Sequence, residues 1–405
     1  MANDLPLNDV KICDFMWVMA GPASTRILAD YGATVVRIES PTRVDTARTL
    51  QPYHNNQLGP DSSGLFANCN AGKFGISLDL GNPAARAVVH DLVRWADVVT
   101  ESFSPKAMRA WGFDYESLRK VNPRLIMLSS CLMGQTGPLA KIAGFGNMAA
   151  AISGFHNLTG WPDRAPSGVF GAYTDYVAPR FTAMAILAAL DHRRRTGEGQ
   201  YIDQSQAECA IHFLGPAILD YTVNDRVEER AGNSDAAFAP HGVYPAAGDD
   251  QWIAIVCRDD DEWRRLCAAM NNEDLARDSR YASAAGRLEH RAAIDSSIAS
   301  WTRTLERADV ESRLQSRGVP AHQVQNSADA YADPQFVHRG HFVALEHPVL
   351  GKFTVEGPRA KLSRTPATVL RAAPSLGQDN QHVLETILGY DETQITELAA
   401  SGALG

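Results

Sequence analysis

Residues 171–203 read GAYTDYVAPRFTAMAILAALDHRRRTGEGQYID and predict a long helix that ends before a short strand. The helix is apolar on every side from Val177 to Leu190, a pattern that is typical of a helix in a protein core. The basic run at 192–195 complements the negative end of the helix dipole, and Gly197 predicts the stop. We therefore expect a buried helix that positions whatever residue stands at its start.

The segments on both sides of this helix predict strands that alternate with helices. After it, residues 200–203 predict a strand, and Ser205 is a suitable N-cap for a second helix that extends to Tyr221. Before it, the expected strands lie at residues 10–15, 34–39, within 68–80, at 97–101 and at 124–130. Such alternation predicts an α/β fold, with a mostly parallel sheet that is covered on both faces.

Asp175 stands directly ahead of the apolar part of the long helix. One interpretation is an N-cap, because aspartate is favoured where a helix begins. The other is a nucleophile, because a helix N-terminus favours the ionised carboxylate and a carboxylate can attack an activated acyl group. The two interpretations are compatible, and the position alone leaves both open.

The first strand and helix are joined by the turn MWVMAGPAS at residues 16–24. Glu39 ends the second strand about where a ribose-binding acid stands in dinucleotide-binding folds. The turn has one glycine where the dinucleotide fingerprint needs three, which argues against a nicotinamide enzyme. Lys73, Lys106 and Arg109 lie near strand ends, where they are either ligand contacts or solvated surface charges.

The composition is that of a folded globular protein of 405 residues, which favours two domains. The net charge of −9 argues against general affinity for nucleic acid. Six scattered cysteines without a CxxC pair predict reduced thiols in a cytoplasmic protein, with no metal or disulfide pattern. The first residues carry no secretion signal, and no apolar run is long enough to span a membrane.

Several motifs in a fixed order resemble one known family, the class III CoA-transferases, also called the CaiB/BaiF family. These motifs are AGPASTRILADYGATVVRIESP at 20–41, NCNAGKFGISLDL at 68–80, ADVVTESFSP at 96–105, GQTGP at 134–138 and LGQDNQHVLETILGY at 376–390. The resemblance implies a Rossmann-like large domain from residues 1–222 and 331–405, a smaller α+β domain from 223–330, and an interlocked homodimer.

The resemblance also implies a reaction. Asp175 matches the family's nucleophile, which attacks an acyl-CoA to give a mixed anhydride. The released CoA then converts the anhydride to an aspartyl-CoA thioester, and a carboxylic acid takes the CoA by the same steps in reverse. Acyl-CoA is thus a substrate, and neither a metal nor a permanently bound cofactor is implied.

Further residues are candidates for contact with CoA or substrate, most of them at family positions with departures at several, and with Arg109 one position before the family's usual arginine. They are Val18, Met19, Ala20, Lys73, Ser102, Phe103, Lys106, Arg109 and Phe145, with His241 as either an active-site neighbour or a hydrogen-bonded structural histidine. Met19 stands where formyl-CoA transferases place a glutamine, and Ala110 stands where the family usually has an arginine. These departures predict a less polar or bulkier acyl group.

Two alternatives within this fold remain open at the level of sequence. The related racemases deprotonate the α-carbon of an acyl-CoA with a histidine, whose position here is Phe145, and phenylalanine cannot accept a proton. The other alternative is a protein that binds CoA esters without catalysis.

Overall fold

The structure, a computed structural model, describes residues 5–104 and 106–404. These residues form two compact units. The first comprises residues 5–156, 168–228 and 335–404, and the second comprises 157–167 and 229–334. The borders predicted from the sequence were 222/223 and 330/331, and the pattern gave no indication that 157–167 belongs with the second unit.

A six-stranded parallel sheet forms the centre of the first unit, in the order β3-β2-β1-β4-β5-β6. Its strands are β1 Lys11–Phe15, β2 Thr34–Glu39, β3 Phe74–Ser77, β4 Val98–Glu101, β5 Ile126–Cys131 and β6 Tyr201–Ser205. The inner strands are buried almost throughout, as expected when helices cover both faces. The predicted α/β class is confirmed.

Five further strands form two antiparallel sheets. The second unit contains β7 His241–Pro245, β8 Trp252–Val256 and β9 Ala321–Gln323, and the first unit contains the hairpin β10 Phe342–His347 and β11 Gly351–Glu356. In this hairpin His347 pairs with Gly351.

Both units also contain helices. They are α1 Ala20–Asp30, α2 Gly64–Asn70, α3 Pro83–Trp95, α4 Ala107–Trp111, α5 Tyr115–Val121, α6 Gly146–Ser153, α7 Phe155–Leu158, α8 Tyr173–Thr196, α9 Gln206–Ile211, α10 Gly215–Asn224, α11 Asp260–Ala269, α12 Glu273–Arg277, α13 Ala284–Glu289, α14 Arg291–Thr302, α15 Arg307–Gln315, α16 Ser327–Ala332, α17 Pro334–Arg339 and α18 Glu392–Ala400. Short 3₁₀ turns occupy Thr46–Thr49, His54–Asn56, His212–Leu214 and Ser279–Tyr281, and a π-helix occupies His382–Ile387. None of the described helices combines the length and hydropathy that crossing a membrane requires.

The long helix α8 packs against α1, α6 and α9, and Gly197 ends it in a left-handed conformation as predicted. The prediction that it is buried on every side is wrong for the single chain. Its outer face, which carries Tyr176, Met184 and Leu187, is exposed. The reason is that a helix apolar all round needs neighbours all round, and the first unit supplies them on the inner side only.

The single helix predicted from Ser205 to Tyr221 is also wrong in part. Ser205 does cap a helix, because its hydroxyl accepts a hydrogen bond from the Glu208 N–H. A 3₁₀ turn then separates α9 from α10, which begins at Gly215 with Pro216 in its first turn. Proline favours a helix start over a helix interior, and it restarts the helix here.

Candidate active site

A cavity of about 190 Å³ lies in the first unit at the carboxyl ends of β1 and β4. Its lining includes residues 17–21, which follow β1, and residues 102–104, which follow β4. Neighbouring strands β1 and β4 are where the strand order reverses, since β2 and β3 lie on one side and β5 and β6 on the other. Open parallel sheets bind ligands at this point, because the loops after the two central strands diverge and leave a crevice.

The loop after β1 has a constrained backbone. Val18 adopts φ +69°, a conformation that β-branched residues rarely take and that usually marks a site held in place by its surroundings. The Val18 N–H donates to Asp45 Oδ1 at 2.9 Å, and Asp45 is itself a fully buried ion-pair partner of Arg37. The Trp17 N–H donates to Ser102 Oγ at 3.0 Å, so this loop is also fixed to the one after β4.

Glu101, the last residue of β4, stabilises the loop that follows this strand. The Phe103 N–H donates to Glu101 Oε2 at 2.7 Å, and the Phe103 ring packs edge-on against Trp17 and Trp111. Burial raises the pKa of Glu101 to about 7. Glu101 does not line the cavity, so we assign it a role in holding the wall formed by residues 102–104.

Asp175 reaches the cavity from the first turn of α8 and is only 6% exposed. It is not the N-cap, and that interpretation is wrong: Ala172 holds the N-cap position, and Asp175 is the third helical residue. The Thr174 hydroxyl donates to the Gly146 carbonyl at 3.0 Å, which joins the start of α8 to the start of α6. The carboxylate therefore lies where two helices begin, and each helix dipole favours its negative charge.

Two hydrogen bonds hold the carboxylate of Asp175. The Gln206 side-chain amide donates to Oδ1, and the Gly146 backbone also donates to the carboxylate. Burial nevertheless outweighs both and raises the pKa of Asp175 to about 6. At neutral pH the group is thus mostly ionised, yet it is a stronger base than an exposed aspartate.

Gly146 allows this arrangement because it has no side chain. A Cβ built at this position would lie 2.8 Å from both Cγ and Oδ1 of Asp175. Such contacts are closer than van der Waals packing permits, so only glycine lets the start of α6 approach the carboxylate. Its neighbour Phe145 is the N-cap residue of α6, lines the cavity and is 57% exposed.

Seven of the residues singled out in the sequence line this one cavity. They are Val18, Met19, Ala20, Ser102, Phe103, Phe145 and Asp175. Lys106 and Arg109 do not line it, but both are exposed, just beyond the wall residues 102–104 along the chain.

Lys73 is placed differently from either expectation. It is fully buried, and its Nζ donates to Asp14 Oδ2 at 3.0 Å, to the Pro22 carbonyl at 2.9 Å and to Asn70 Oδ1 at 3.0 Å. An ammonium has three protons, and these partners account for all of them. Lys73 is therefore neither a solvated surface charge nor free to bind a CoA phosphate, and we no longer count it among the CoA-binding residues.

His241 belongs to the second unit, where it begins β7 and lines a cavity with residues 232–234. Its Nδ1 lies 2.7 Å from the Asn233 carbonyl oxygen, which agrees with the interpretation as a hydrogen-bonded structural histidine. Glu39, the residue that suggested a ribose contact, is buried in ion pairs with Arg37 and Arg48. It is not available to a ligand in this arrangement.

Gln206 and Gly146 are site residues that the sequence reasoning missed. Gln206 begins α9 directly after β6, whose Ser205 pairs with Cys131 of β5, so the sheet sets its position. The expected cap at Ser205 predicts where the helix begins. It does not predict that the next side chain, Gln206, contacts Asp175, which lies 31 positions earlier in the chain. Among the described residues, no three histidine, cysteine, aspartate or glutamate side chains are grouped as a metal ion would require.

Comparison with known proteins gives consistent results over nearly the whole chain. The model of the family described as CoA-transferase family III matches residues 7–380. A succinyl-CoA–D-citramalate CoA-transferase of Chloroflexus aurantiacus is 33% identical over 395 residues, which cover 98% of this chain and 97% of that protein. A succinate–glutarate CoA-transferase of Agrobacterium fabrum is 33% identical over 392 residues, with coverage of 96% and 97%.

A solved structure shows the same similarity in three dimensions. The crystal structure of a CaiB/BaiF family protein from Brucella suis superposes with a TM-score of 0.88 at 31% identity. The alignment covers 95% of this chain and 100% of that one.

Proposed function

The chain belongs to CoA-transferase family III, and we propose that it transfers coenzyme A from an acyl-CoA to a carboxylic acid through covalent intermediates on Asp175. The observation that carries this proposal is the placement of Asp175. It is a buried carboxylate in the wall of a cavity at the switch point of the sheet, with a pKa of about 6. The group is a nucleophile that burial has partly desolvated and that neutral pH still ionises.

The reaction proceeds in four balanced steps. An Asp175 oxygen attacks the thioester carbonyl, a C–O bond forms, and the C–S bond breaks to release CoA thiolate. The thiolate attacks Cγ of the resulting anhydride, which forms an aspartyl thioester and releases the donor acid. The acceptor carboxylate then attacks Cγ and releases CoA thiolate, and this thiolate takes the new acyl group from Asp175. Each step exchanges one activated acyl group for another without net hydrolysis, so the protein's main contribution is to hold the reactants together and exclude water.

The cavity favours transfer over racemisation. A racemase needs a second base near the α-carbon, and Phe145 occupies the position where the related racemases have histidine. Of the described residues that line the cavity, only Asp175 and Cys131 are titratable. Burial raises the pKa of Cys131 to about 11, so it stays protonated at neutral pH. Removal of a proton by one group and its return by another is therefore not supported.

For coenzyme A itself, we propose that Lys106 and Arg109 meet its phosphates. Both are exposed cations, and residues 102–104, which line the cavity, come just before them in the chain. Phosphate contacts of this kind are electrostatic and weaken with salt.

For the acyl group, the lining supports a chain of low polarity. Met19, Leu132 and Ile142 contribute apolar surface, and the described lining residues include no lysine, arginine or histidine to pair with a second carboxylate. The relatives' names, by contrast, include succinyl-CoA. Succinyl-CoA and butyryl-CoA have acyl chains of equal length, so their kcat/KM values discriminate: faster transfer from butyryl-CoA is expected, and faster transfer from succinyl-CoA would refute this point.

We also propose that two copies of the chain associate through the exposed apolar face of α8 and α10. Met184, Leu187, Leu219 and Val223 lie on these helices and are exposed in the single chain. Several large apolar side chains exposed on two helices are typical of an interface. Analytical ultracentrifugation should show a dimer that Met184→Glu and Leu187→Glu weaken, whereas a wild-type monomer at micromolar concentration would contradict the proposal.

Intact-mass analysis tests the covalent mechanism directly. The protein is mixed with a panel of acyl-CoAs and hydroxylamine, and the adduct is located by peptide mapping. We expect a hydroxamate at Asp175 and its absence from Asp175→Asn. Asp30→Asn is the matched control, because Asp30 is also a buried carboxyl whose pKa is raised to about 6, and it does not line the cavity. CoA esters that bind without forming any adduct would leave a non-catalytic binding protein as the better interpretation.

A further inference from the structure

We infer that the Gln206 side-chain amide and the Gly146 backbone N–H form an oxyanion site for Oδ1 of Asp175, which acts when the aspartyl carbonyl itself is attacked. This inference rests on the covalent mechanism proposed above. It assigns a catalytic role to Gln206, whose amide touches a reacting atom. Gln206 carries no signal in the sequence that marks it as functional.

The geometry places the Gln206 amide on Oδ1 and the Gly146 backbone close to it. Gln206 Nε2 donates to Oδ1, and a Cβ built on Gly146 would lie 2.8 Å from both Oδ1 and Cγ, so the glycine approaches this part of the carboxylate. The Gly146 backbone donates its own hydrogen bond to the group. With Oδ1 occupied in this way, Oδ2 is the oxygen that attacks the acyl-CoA and that bears the acyl group in the anhydride.

Both donors are held rigidly, as an oxyanion site requires. Gln206 is 7% exposed and is the first residue of α9, next to Ser205, which ends β6 and caps the helix. Gly146 is the first residue of α6, so its N–H points outward from a helix N-terminus. Neither donor needs to be reorganised when negative charge appears on Oδ1.

The charge on Oδ1 differs among the four steps. When Asp175 acts as nucleophile or leaving group, the tetrahedral carbon belongs to the substrate, and its oxyanion is not Oδ1. When CoA thiolate attacks the anhydride at Cγ, the C–S bond forms, the carbonyl electron pair moves to Oδ1, and collapse breaks the bond from Cγ to the acyl-bearing oxygen. The attack of the acceptor carboxylate on the aspartyl thioester places charge on Oδ1 in the same way. The donors therefore stabilise the two middle transition states specifically.

Hydroxylamine measures this difference as a ratio of products. Attack on the acyl carbonyl of the anhydride releases an acyl hydroxamate, whereas attack at Cγ leaves a hydroxamate on Asp175. Only the second route uses the Oδ1 site, so loss of a donor should raise the ratio of free to protein-bound hydroxamate. From the effect of removing one oxyanion donor, we expect Gln206→Met to raise it about 100-fold at mildly alkaline pH, where Asp175 is ionised. Asp175→Asn supplies the background of uncatalysed hydroxylaminolysis.

Gln204→Met is the matched control. Gln204 is a glutamine of nearly equal burial, 8% exposed, and it donates to Thr182 Oγ1 at 2.7 Å rather than to Asp175. Its variant should keep the wild-type ratio even if it loses stability. Gln206→Glu preserves the side-chain volume and loses the donor when ionised, so it carries the test if Gln206→Met does not fold.

The outcomes separate the two proposals. An unchanged ratio in the folded Gln206 variants, with the total yield lowered or not, would overturn the inference and leave Gln206 a structural residue. A wild-type protein that forms no hydroxamate at Asp175 would overturn the covalent mechanism itself. A raised ratio in the Gln206 variants alone supports both.

Discussion

Replacement of Gly146 by alanine tests how closely the start of α6 controls the nucleophile. The new Cβ would lie 2.8 Å from Cγ and Oδ1 of Asp175, whereas ordinary contacts begin at 3.4 Å, so the carboxylate must move by about 0.6 Å. The Ala172 carbonyl oxygen lies 2.9 Å from the same Cβ, so the new methyl group also crowds the backbone at the start of α8. Displacement of a reacting group by a fraction of an ångström to 1 Å costs roughly 10- to 100-fold in rate.

The effect on stability should be much smaller than the effect on rate. Crowding in a packed site costs about 1–3 kcal/mol, and the preference of helices for alanine over glycine offsets roughly 0.5–1 kcal/mol of it. We therefore expect Gly146→Ala to lower kcat about 10- to 100-fold while the free energy of unfolding falls by only about 1–2 kcal/mol. Steady-state transfer assays and urea unfolding measure the two quantities.

The matched control is Gly215→Ala, because Gly215 is also the first residue of a helix and a Cβ there meets nothing within 4 Å. That variant should keep wild-type kcat and unfold at equal or slightly higher urea concentration. A Gly146→Ala enzyme with wild-type kcat would refute the reasoning, since the close approach would then have no bearing on the nucleophile.

Three further predictions concern charge. Because the pKa of Asp175 is raised to about 6, kcat/KM should fall as pH drops through 6, and the stability that the protonated carboxyl gives the folded state is lost as pH rises from 3.8 to about 6. Asp175→Asn should therefore raise the free energy of unfolding, measured with urea, by up to about 3 kcal/mol at neutral pH and by nothing at pH 3.5. A gain in stability that does not depend on pH would contradict this. Lys73→Met should lower the free energy of unfolding by roughly 3–5 kcal/mol, because it leaves the buried Asp14 carboxylate without its ion-pair partner. The KM for acyl-CoA should be unchanged in the folded fraction, and a selective rise in KM would restore Lys73 to the CoA site. Lys106→Ala and Arg109→Ala should each raise the KM for acyl-CoA several-fold, and the rise should be larger at low salt than at high salt. The free energy of unfolding should stay within about 0.5 kcal/mol of wild type. An equal effect on KM at all salt concentrations would argue against phosphate contact.

Much of the fold was predictable from local pattern. The buried runs predicted as strands at 34–39, 97–101 and 124–130 all appear in the sheet, and Ser205 caps α9 as expected. These features depend on residues a few positions apart, so short-range sequence determines them. The family predicted from the motifs is confirmed by the match over residues 7–380.

The errors lie where the outcome depends on distant neighbours. Lys73 is expected at the surface or at a ligand because lysine is seldom fully buried, but its partner Asp14 lies on β1, 59 positions away. The long helix looked fully buried because every face is apolar, but coverage depends on which elements pack against it. Neither fact is encoded within a window of ten residues.

The sequence by itself determined the α/β class, the helix that carries Asp175 and the loops that follow β1 and β4, because periodicity and capping act over a few residues. Only the tertiary structure decided what surrounds the carboxylate. It brings Gly146 and Gln206 to Asp175 from 29 positions before it and 31 after it. Burial, close approach and hydrogen bonding then set the pKa of Asp175, and these depend on atoms that only the packing of α6, α8 and α9 brings within contact distance.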